Sequence, residues 1–162
     1  MTNAATLEAT ASLEKRLKAT DITPLIASRV ELSKQDLLSG HYAADLRELL
    51  ERRGVLVFKE INFTDAEQVA FTKTIGQFMP ELEGQEIYNI TLDPKLNAKS
   101  DYLKGSLYWH ADGTMNKMPI GTAILTSHVL PTWGGNTEFC NTYAAYDLLP
   151  DADKKLLENL KA

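Results

Sequence analysis

The feature that most limits the fold is a change of period at Gly54. Ahead of it, Tyr42, Leu46, Leu49, Leu50 and Arg53 recur at helical spacing. Behind it, Val55-Leu56-Val57-Phe58 is a short unbroken apolar run, the pattern of a buried strand. Glycine enters the left-handed backbone region without a Cβ penalty, which suits it to the position just past a helix. The spacing therefore predicts a helix over 43–53, a stop at Gly54 and a strand at 55–58. A chain with this pattern packs helix against sheet, and the expected class is mixed α+β, with helices near 43–53 and 65–78 beside a sheet.

A second helix is marked at its start. In Thr64-Asp65-Ala66-Glu67 the Thr64 hydroxyl can accept from the Glu67 backbone N–H, and the Glu67 carboxylate can reach back. The helix is expected over 65–78, with Phe71, Ile75 and Phe78 on one side, and a loop through 78–84. A strand is expected at 87–92, then a polar loop through Pro94 and Asn97. Residues 106–141 read as β-rich, broken by Pro119, Gly121, Pro131, Gly134 and Gly135. The tail from Ala144 to Ala162 reads as helical. Pro150 and Asp151 open its last segment, and Leu156, Leu157 and Leu160 form its apolar stripe. At the other end, 1–20 reads as a loosely ordered extension, a frayed helix anchored by Leu7, Leu13 and Leu17. Residues 21–40 read as short strands with turns around Pro24 and Gly40.

A chain of 162 residues can bury one core. Its net charge of −5 lacks the basic face that nucleic acid requires. No apolar run approaches the roughly 20 residues of a membrane span, and the first residues lack a leader pattern. The single cysteine, Cys140, has no partner for an internal disulfide and reads as a small buried core residue. These features point to a cytoplasmic protein with no membrane and no nucleic-acid partner, and they leave room for a homo-oligomer.

The chemistry concentrates in Ser106-Leu107-Tyr108-Trp109-His110-Ala111-Asp112. Along a strand, side chains alternate faces, so His110 and Asp112 would point the same way, with Ser106 and Tyr108 beside them. Leu107, Trp109 and Ala111 would then face packing. Two residues of strand advance roughly 6.6 Å, and metal–ligand bonds are roughly 2 Å. An imidazole and a carboxylate at this spacing can therefore converge on one ion, and iron(II) oxygenases use two histidines and a carboxylate on one face. On the tripeptide alone, a hydrogen-bonded core histidine beside an aspartate that caps a turn at Gly113 is the better fit, since His-x-Asp is short and common.

The wider context separates these alternatives. Trp109-His110-Ala111-Asp112, Pro119, Leu130-Pro131, Trp133-Gly134-Gly135-Asn136-Thr137 and Ala144-Ala145-Tyr146-Asp147-Leu148-Leu149-Pro150 occur in order. With the helix–strand from Leu46 to Phe58 and the segment from Thr64 to Gly76, they resemble the TauD/TfdA family of dioxygenases from about Asp21 to the end. The resemblance implies a cupin-like jelly roll, here an incomplete double-stranded β-helix with flanking helices. It implies an enzyme using iron(II), 2-oxoglutarate and O2 to hydroxylate a small organic substrate, with release of succinate and CO2. It makes His110 and Asp112 the first two iron ligands and Thr137 the contact to 2-oxoglutarate, with Asn136 where aspartate is frequent. Ser106 and Tyr108 fall in the substrate pocket. A plain turn at Gly134-Gly135 is compatible with this, since the turn would aim Thr137.

The family pattern also includes a further histidine ligand and an arginine for the distal carboxylate of 2-oxoglutarate. After His110 the only histidine is His128, on a segment resembling a strand that carries no ligand, and no arginine follows Arg53. Lysines such as Lys154 read as solvated. The resulting expectation is that 21–162 is the N-terminal portion of such a domain, truncated before its C-terminal half and inactive alone. A catalytically inactive β-domain serving as a binding module is the alternative. Sulfonate-binding members carry a histidine in the loop here at 79–90 and an asparagine four residues before the first ligand. This chain has Glu81, Glu83 and Glu86 in that loop and Ser106 at that position, a poor match to taurine.

Overall fold

The computed structural model describes residues 4–80, 84–96, 100–114, 116–118 and 120–160. The expected loop residues Glu81, Leu82 and Glu83, as well as Asn97, Pro119 and the side chain of Leu7, lie outside the described residues. The chain forms two compact units, Met1–Gln77 with Thr126–Lys161, and Phe78–Leu125.

In the first unit, α1 (Ala4–Leu17) leads into β1 (Ala19–Asp21), β2 (Ser28–Val30), α2 (Lys34–Leu38), α3 (Ala43–Arg53), β3 (Leu56–Val57) and α4 (Asp65–Ile75). The three strands form one sheet in the order β1-β2-β3. β1 runs antiparallel to β2, with Thr20 opposite Arg29, and β2 runs parallel to β3, with Ser28 opposite Leu56. The α3–Gly54–β3 unit follows the predicted period change. Gly54 has φ +68° and its N–H donates to the Leu50 carbonyl at 2.7 Å, closing the helix.

Leu13, Leu17, Val30, Leu32, Leu37, Leu46, Leu49, Phe63, Val69 and Phe71 form the core. Leu13 and Leu17 are fully buried, and Arg16 grips Asp45 through two hydrogen bonds of 3.0 and 2.9 Å, so α1 is docked on α3 along its second half. The same guanidinium holds the Asp45 carboxyl below its ordinary range. A short helix, α2, stands where only strands and a turn were expected. Ser33 and Asp36 form a reciprocal capping box at its start, a signal within the sequence that a helix-length apolar pattern does not accompany. Lys34 on α2 reaches the Glu67 carboxylate at 2.9 Å and the Asn62 carbonyl at 2.8 Å, tying α2 to the start of α4.

The Thr64–Glu67 capping box is present as read. The helix ends at Ile75 rather than Phe78. Gly76 takes an extended backbone, and Arg47 of α3 donates to the Ile75 carbonyl at 2.9 Å, so the orphan acceptors of the last turn are satisfied from outside.

Arg53 organises the return from β1 to β2. Its Nε lies 3.0 Å from Ser28 Oγ and 3.1 Å from Asp21 Oδ1, and its Nη atoms donate to the carbonyls of Thr23, Pro24 and Ala27. Ser28 is fully buried, and it donates to Asp21 at 2.7 Å. Ala27 is held at φ +70°, a costly conformation for a residue with a Cβ, against these bonds and its own N–H to the Arg53 carbonyl at 2.9 Å.

The β-rich reading of 87–92 and 106–141 is corrected: the described residues there form no strand. Alternation and β-branched content express fit to a pleated, half-buried surface, and a strand forms only when a neighbour accepts its backbone groups. The second unit contains α5 (Ser100–Leu103) and a 3-10 turn over Lys104–Leu107, with Ser100 and Leu103 buried. The tail, read as one helical stretch, divides into α6 (Thr142–Asp147) and α7 (Asp151–Leu157), because Pro150 precedes the first residue of α7 and cannot continue α6. Leu156, Leu157 and Leu160 are exposed, so the expected stripe packs against nothing described. Cys140 is exposed as well, not buried. Lys154, expected to be solvated, donates to the Asp147 carbonyl at 2.9 Å and lies over the Tyr146 ring. Among the described residues no helix is long and apolar enough to cross a membrane.

Two outcomes follow. Arg53→Met strands Asp21 and three loop carbonyls together and should cost about 2–4 kcal/mol in urea unfolding followed by circular dichroism. The Glu67 carboxyl is held below its ordinary value by the Thr64 backbone N–H and by Lys34. A depressed pKa adds stability above the unfolded value of about 4.3, lost as pH falls through and below it. Melting curves of Glu67→Gln should therefore depend less on pH between about 5 and 3 than those of the parent.

Candidate metal centre

His110 and Asp112 belong to the second unit and sit on a turn, not on a strand. The 3-10 turn ends at Tyr108, whose backbone is extended and whose N–H donates to the Gly105 carbonyl at 3.1 Å. The chain then bends over residues 112–114, with Gly113 at φ +67°. The even spacing that suggested a shared strand face is replaced by a turn that folds Asp112 back toward His110. Leu107, Trp109 and Ala111, expected on a packed face, are all exposed, since no second layer covers them.

The two candidate ligands nevertheless converge. His110 Nε2 lies 3.3 Å from Asp112 Oδ1, with the side chains 49% and 63% exposed. His110 Nδ1 lies 2.7 Å from the Tyr108 carbonyl oxygen. A carbonyl can only accept, so this hydrogen bond assigns the proton to Nδ1, and in the neutral ring it leaves the Nε2 lone pair facing the carboxylate. Two electron-pair donors in that relation are at ease only with a proton or a cation between them. Ligands bound at about 2.1 Å and at right angles are about 3.0 Å apart, close to the observed separation. A backbone carbonyl on the second ring nitrogen is also the usual way a metal-binding histidine is oriented. The pair therefore fits two adjacent positions on one cation. Among the described residues no group of three His, Cys, Asp or Glu side chains converges.

Ser106 and Tyr108 precede His110 in the same unit, Ser106 in the 3-10 turn and Tyr108 at its end. The Ser106 hydroxyl donates to the Leu103 carbonyl at 2.6 Å, which keeps its lone pairs outward, and the Tyr108 ring is exposed. Thr137 belongs to the first unit. It follows Gly134 and Gly135, which take φ +70° and +71°; the expected hairpin turn is not formed there, since the chain bends at 132–133 and runs on irregularly, and the Thr137 side chain is exposed. His128, also in that unit, is exposed. Sequence reasoning missed Tyr108's carbonyl as the group that orients His110; a backbone acceptor leaves no mark in side-chain chemistry.

Comparison with known proteins places the chain in a family. The description "Taurine catabolism dioxygenase TauD, TfdA family" matches residues 18–162. The chain belongs to the TauD/TfdA family of dioxygenases, whose 2-oxoglutarate-dependent members use iron(II), 2-oxoglutarate and O2. It is 31% identical over 157 residues to an alpha-ketoglutarate-dependent 2,4-dichlorophenoxyacetate dioxygenase of Burkholderia sp. (strain RASC), covering 86% of this chain and 53% of that one. It is 34% identical over 124 residues to an (S)-phenoxypropionate/alpha-ketoglutarate-dioxygenase of Sphingobium herbicidovorans, covering 73% and 42%. It is 30% identical over 123 residues to an alpha-ketoglutarate-dependent sulfate ester dioxygenase of Pseudomonas putida, covering 72% and 38%. The chain thus spans about half the length or less of these relatives. No solved structure matches. The family implies a cupin-like jelly roll, whereas the sheet described above has three strands.

The turn that brings Asp112 to His110 depends on Gly113. A Cβ there would lie 2.5 Å from Ile120 Cδ1 and 3.0 Å from Asn116 Nδ2, on a backbone that L-residues avoid. Backbone strain alone costs about 1–2 kcal/mol. Gly113→Ala should weaken cobalt(II) binding by about 5- to 30-fold in calorimetric titration. Gly113→Ala with Ile120→Ala relieves the clash but not the strain, so it should recover part of the loss.

Proposed function

We propose that this chain carries the first two iron ligands of an iron(II)- and 2-oxoglutarate-dependent dioxygenase acting on a small carboxylic acid of the aryloxy type. The observation that carries the reading is the approach of His110 Nε2 to Asp112 Oδ1 with Nδ1 held by Tyr108. Bound iron, with 2-oxoglutarate and O2, supplies oxidation of a substrate C–H bond coupled to formation of succinate and CO2. The protein's residues do the rest. The Tyr108 carbonyl fixes the His110 tautomer, Asp112 contributes the negative charge, and the Thr137 hydroxyl donates to a carboxylate of 2-oxoglutarate. Ser106 and Tyr108 line the substrate side. In the chain described here the fold would be an incomplete double-stranded β-helix, and in a longer protein the extended backbone at Tyr108 and the irregular stretch over 122–127 would enter it as strands. The substrate class rests on the phenoxy acids in the relatives' names and on the poor match to taurine in the 79–90 loop and at Ser106.

Two tests bear on this. Succinate formation by the full-length protein should be fastest with aryloxy acids in a panel that also includes sulfonates, sulfate esters and plain carboxylic acids. Fastest turnover with taurine refutes the substrate reading. On this reading residues 1–162 supply the ligands His110 and Asp112, and no arginine follows Arg53 among them. A charged hydrogen bond contributes roughly 1.5–3 kcal/mol, so without the arginine this polypeptide should bind 2-oxoglutarate roughly ten- to a hundredfold more weakly than the full-length protein. Tight ternary binding lost in His110→Ala would show that His128 or another group completes the site.

A further inference from the structure

The segment carrying Thr137 has little apolar hold on the first unit. Val129, Leu130, Trp133, Phe139 and Tyr143 are all exposed. Where residues 139–143 pass the core they border an open depression of about 230 Å³ lined also by Ile26, Gly54 and Val55. What crosses this loosely filled region is a hydrogen bond: Asn141 Nδ2 donates to the Leu25 carbonyl at 2.7 Å, across 116 residues of sequence. The other end of the same amide is also used. Asn141 Oδ1 accepts from the Ala144 N–H at 3.0 Å and caps α6.

The acceptor is well chosen. Leu25 lies in the return between β1 and β2, where Arg53 donates to the carbonyls on either side, at Pro24 and Ala27, at 3.1 Å each. A carbonyl in a loop pinned by a half-buried guanidinium is a fixed point. Thr137 is four residues before Asn141, and three of the intervening positions, 138–140, are exposed.

We infer that Asn141 is the positioning residue for Thr137, tying the Gly134–Thr137 segment to the Arg53-held loop through the Leu25 carbonyl. This rests on the reading of Thr137 as the 2-oxoglutarate contact, and it adds a residue that touches neither metal nor cosubstrate. The two functions of the amide can be separated. Asn141→Asp keeps an oxygen to cap α6, at which aspartate equals asparagine, but removes the donor to Leu25. Asn141→Ala removes both.

The test uses the full-length protein and two readouts. Amide hydrogen exchange over 134–140, measured without metal, should accelerate in both variants while exchange in α3 and β3 stays at the parent rate. Anaerobic titration of the iron(II)-loaded protein with 2-oxoglutarate should show binding weakened about fivefold in Asn141→Asp, the equivalent of one ordinary hydrogen bond. Parent-like exchange and binding in Asn141→Asp overturns the inference, as does faster exchange spread through α3, which would make Asn141 a residue of general stability. Thr137→Ala is the control for the underlying reading. Unchanged cosubstrate binding in Thr137→Ala refutes Thr137 as the contact, and the exchange data still decide whether Asn141 holds the segment.

Discussion

The first unit depends on one guanidinium. Arg53 ends α3, and from there it reaches a serine, an aspartate and three backbone carbonyls of the loop that leads into the central strand. Loop carbonyls that leave water need donors, and arginine is the side chain that can supply several from one rigid plane. With 12% of its side chain exposed, Arg53 works in a medium where such bonds are strong and their loss is expensive. It sets the position of β2, and β2 sets the register of both its neighbours. It also explains how Ala27 can be kept in a left-handed conformation: the bonds around it outweigh the local strain.

What could be read from the sequence followed the range of the interactions involved. The α3–Gly54–β3 unit and the Thr64–Glu67 cap are specified by neighbours within four residues, and both stand as read. The Ser33–Asp36 cap was equally local but framed only five helical residues, too few for an apolar period to announce them. Arg53's role was invisible, since its partners lie 25 to 32 residues away and are mostly backbone. The strands expected between 87 and 141 failed for a related reason. A strand is a property of a pair, and a single sequence shows only one member of it. Cys140 was read as a small buried core residue in a strand-like stretch, and Leu156, Leu157 and Leu160 as an apolar stripe; burial also needs an opposing face.

At the candidate metal centre the expected approach of His110 to Asp112 is present, and the expected strand beneath it is not. A two-residue spacing suggested a strand face, while the chain achieves the same convergence by bending at Gly113. Chemistry tolerates this substitution, because what an ion requires is the placement of two donor atoms and not the backbone route to them. The similarity to phenoxy-acid dioxygenases rests on shared sequence and is independent of the geometry described here.

Both tryptophans of the chain, Trp109 and Trp133, stand in water, at 66% and 91% exposure, and none contributes to the core. The indole fluorescence of this polypeptide is therefore blind to the packing of its helices. Its emission should resemble that of a free indole in buffer whether or not the core is intact, and soluble quenchers should reach both rings. Any event that covers either segment would move the emission to the blue, so the same two side chains that say nothing of folding form a built-in optical report on what comes to lie against them.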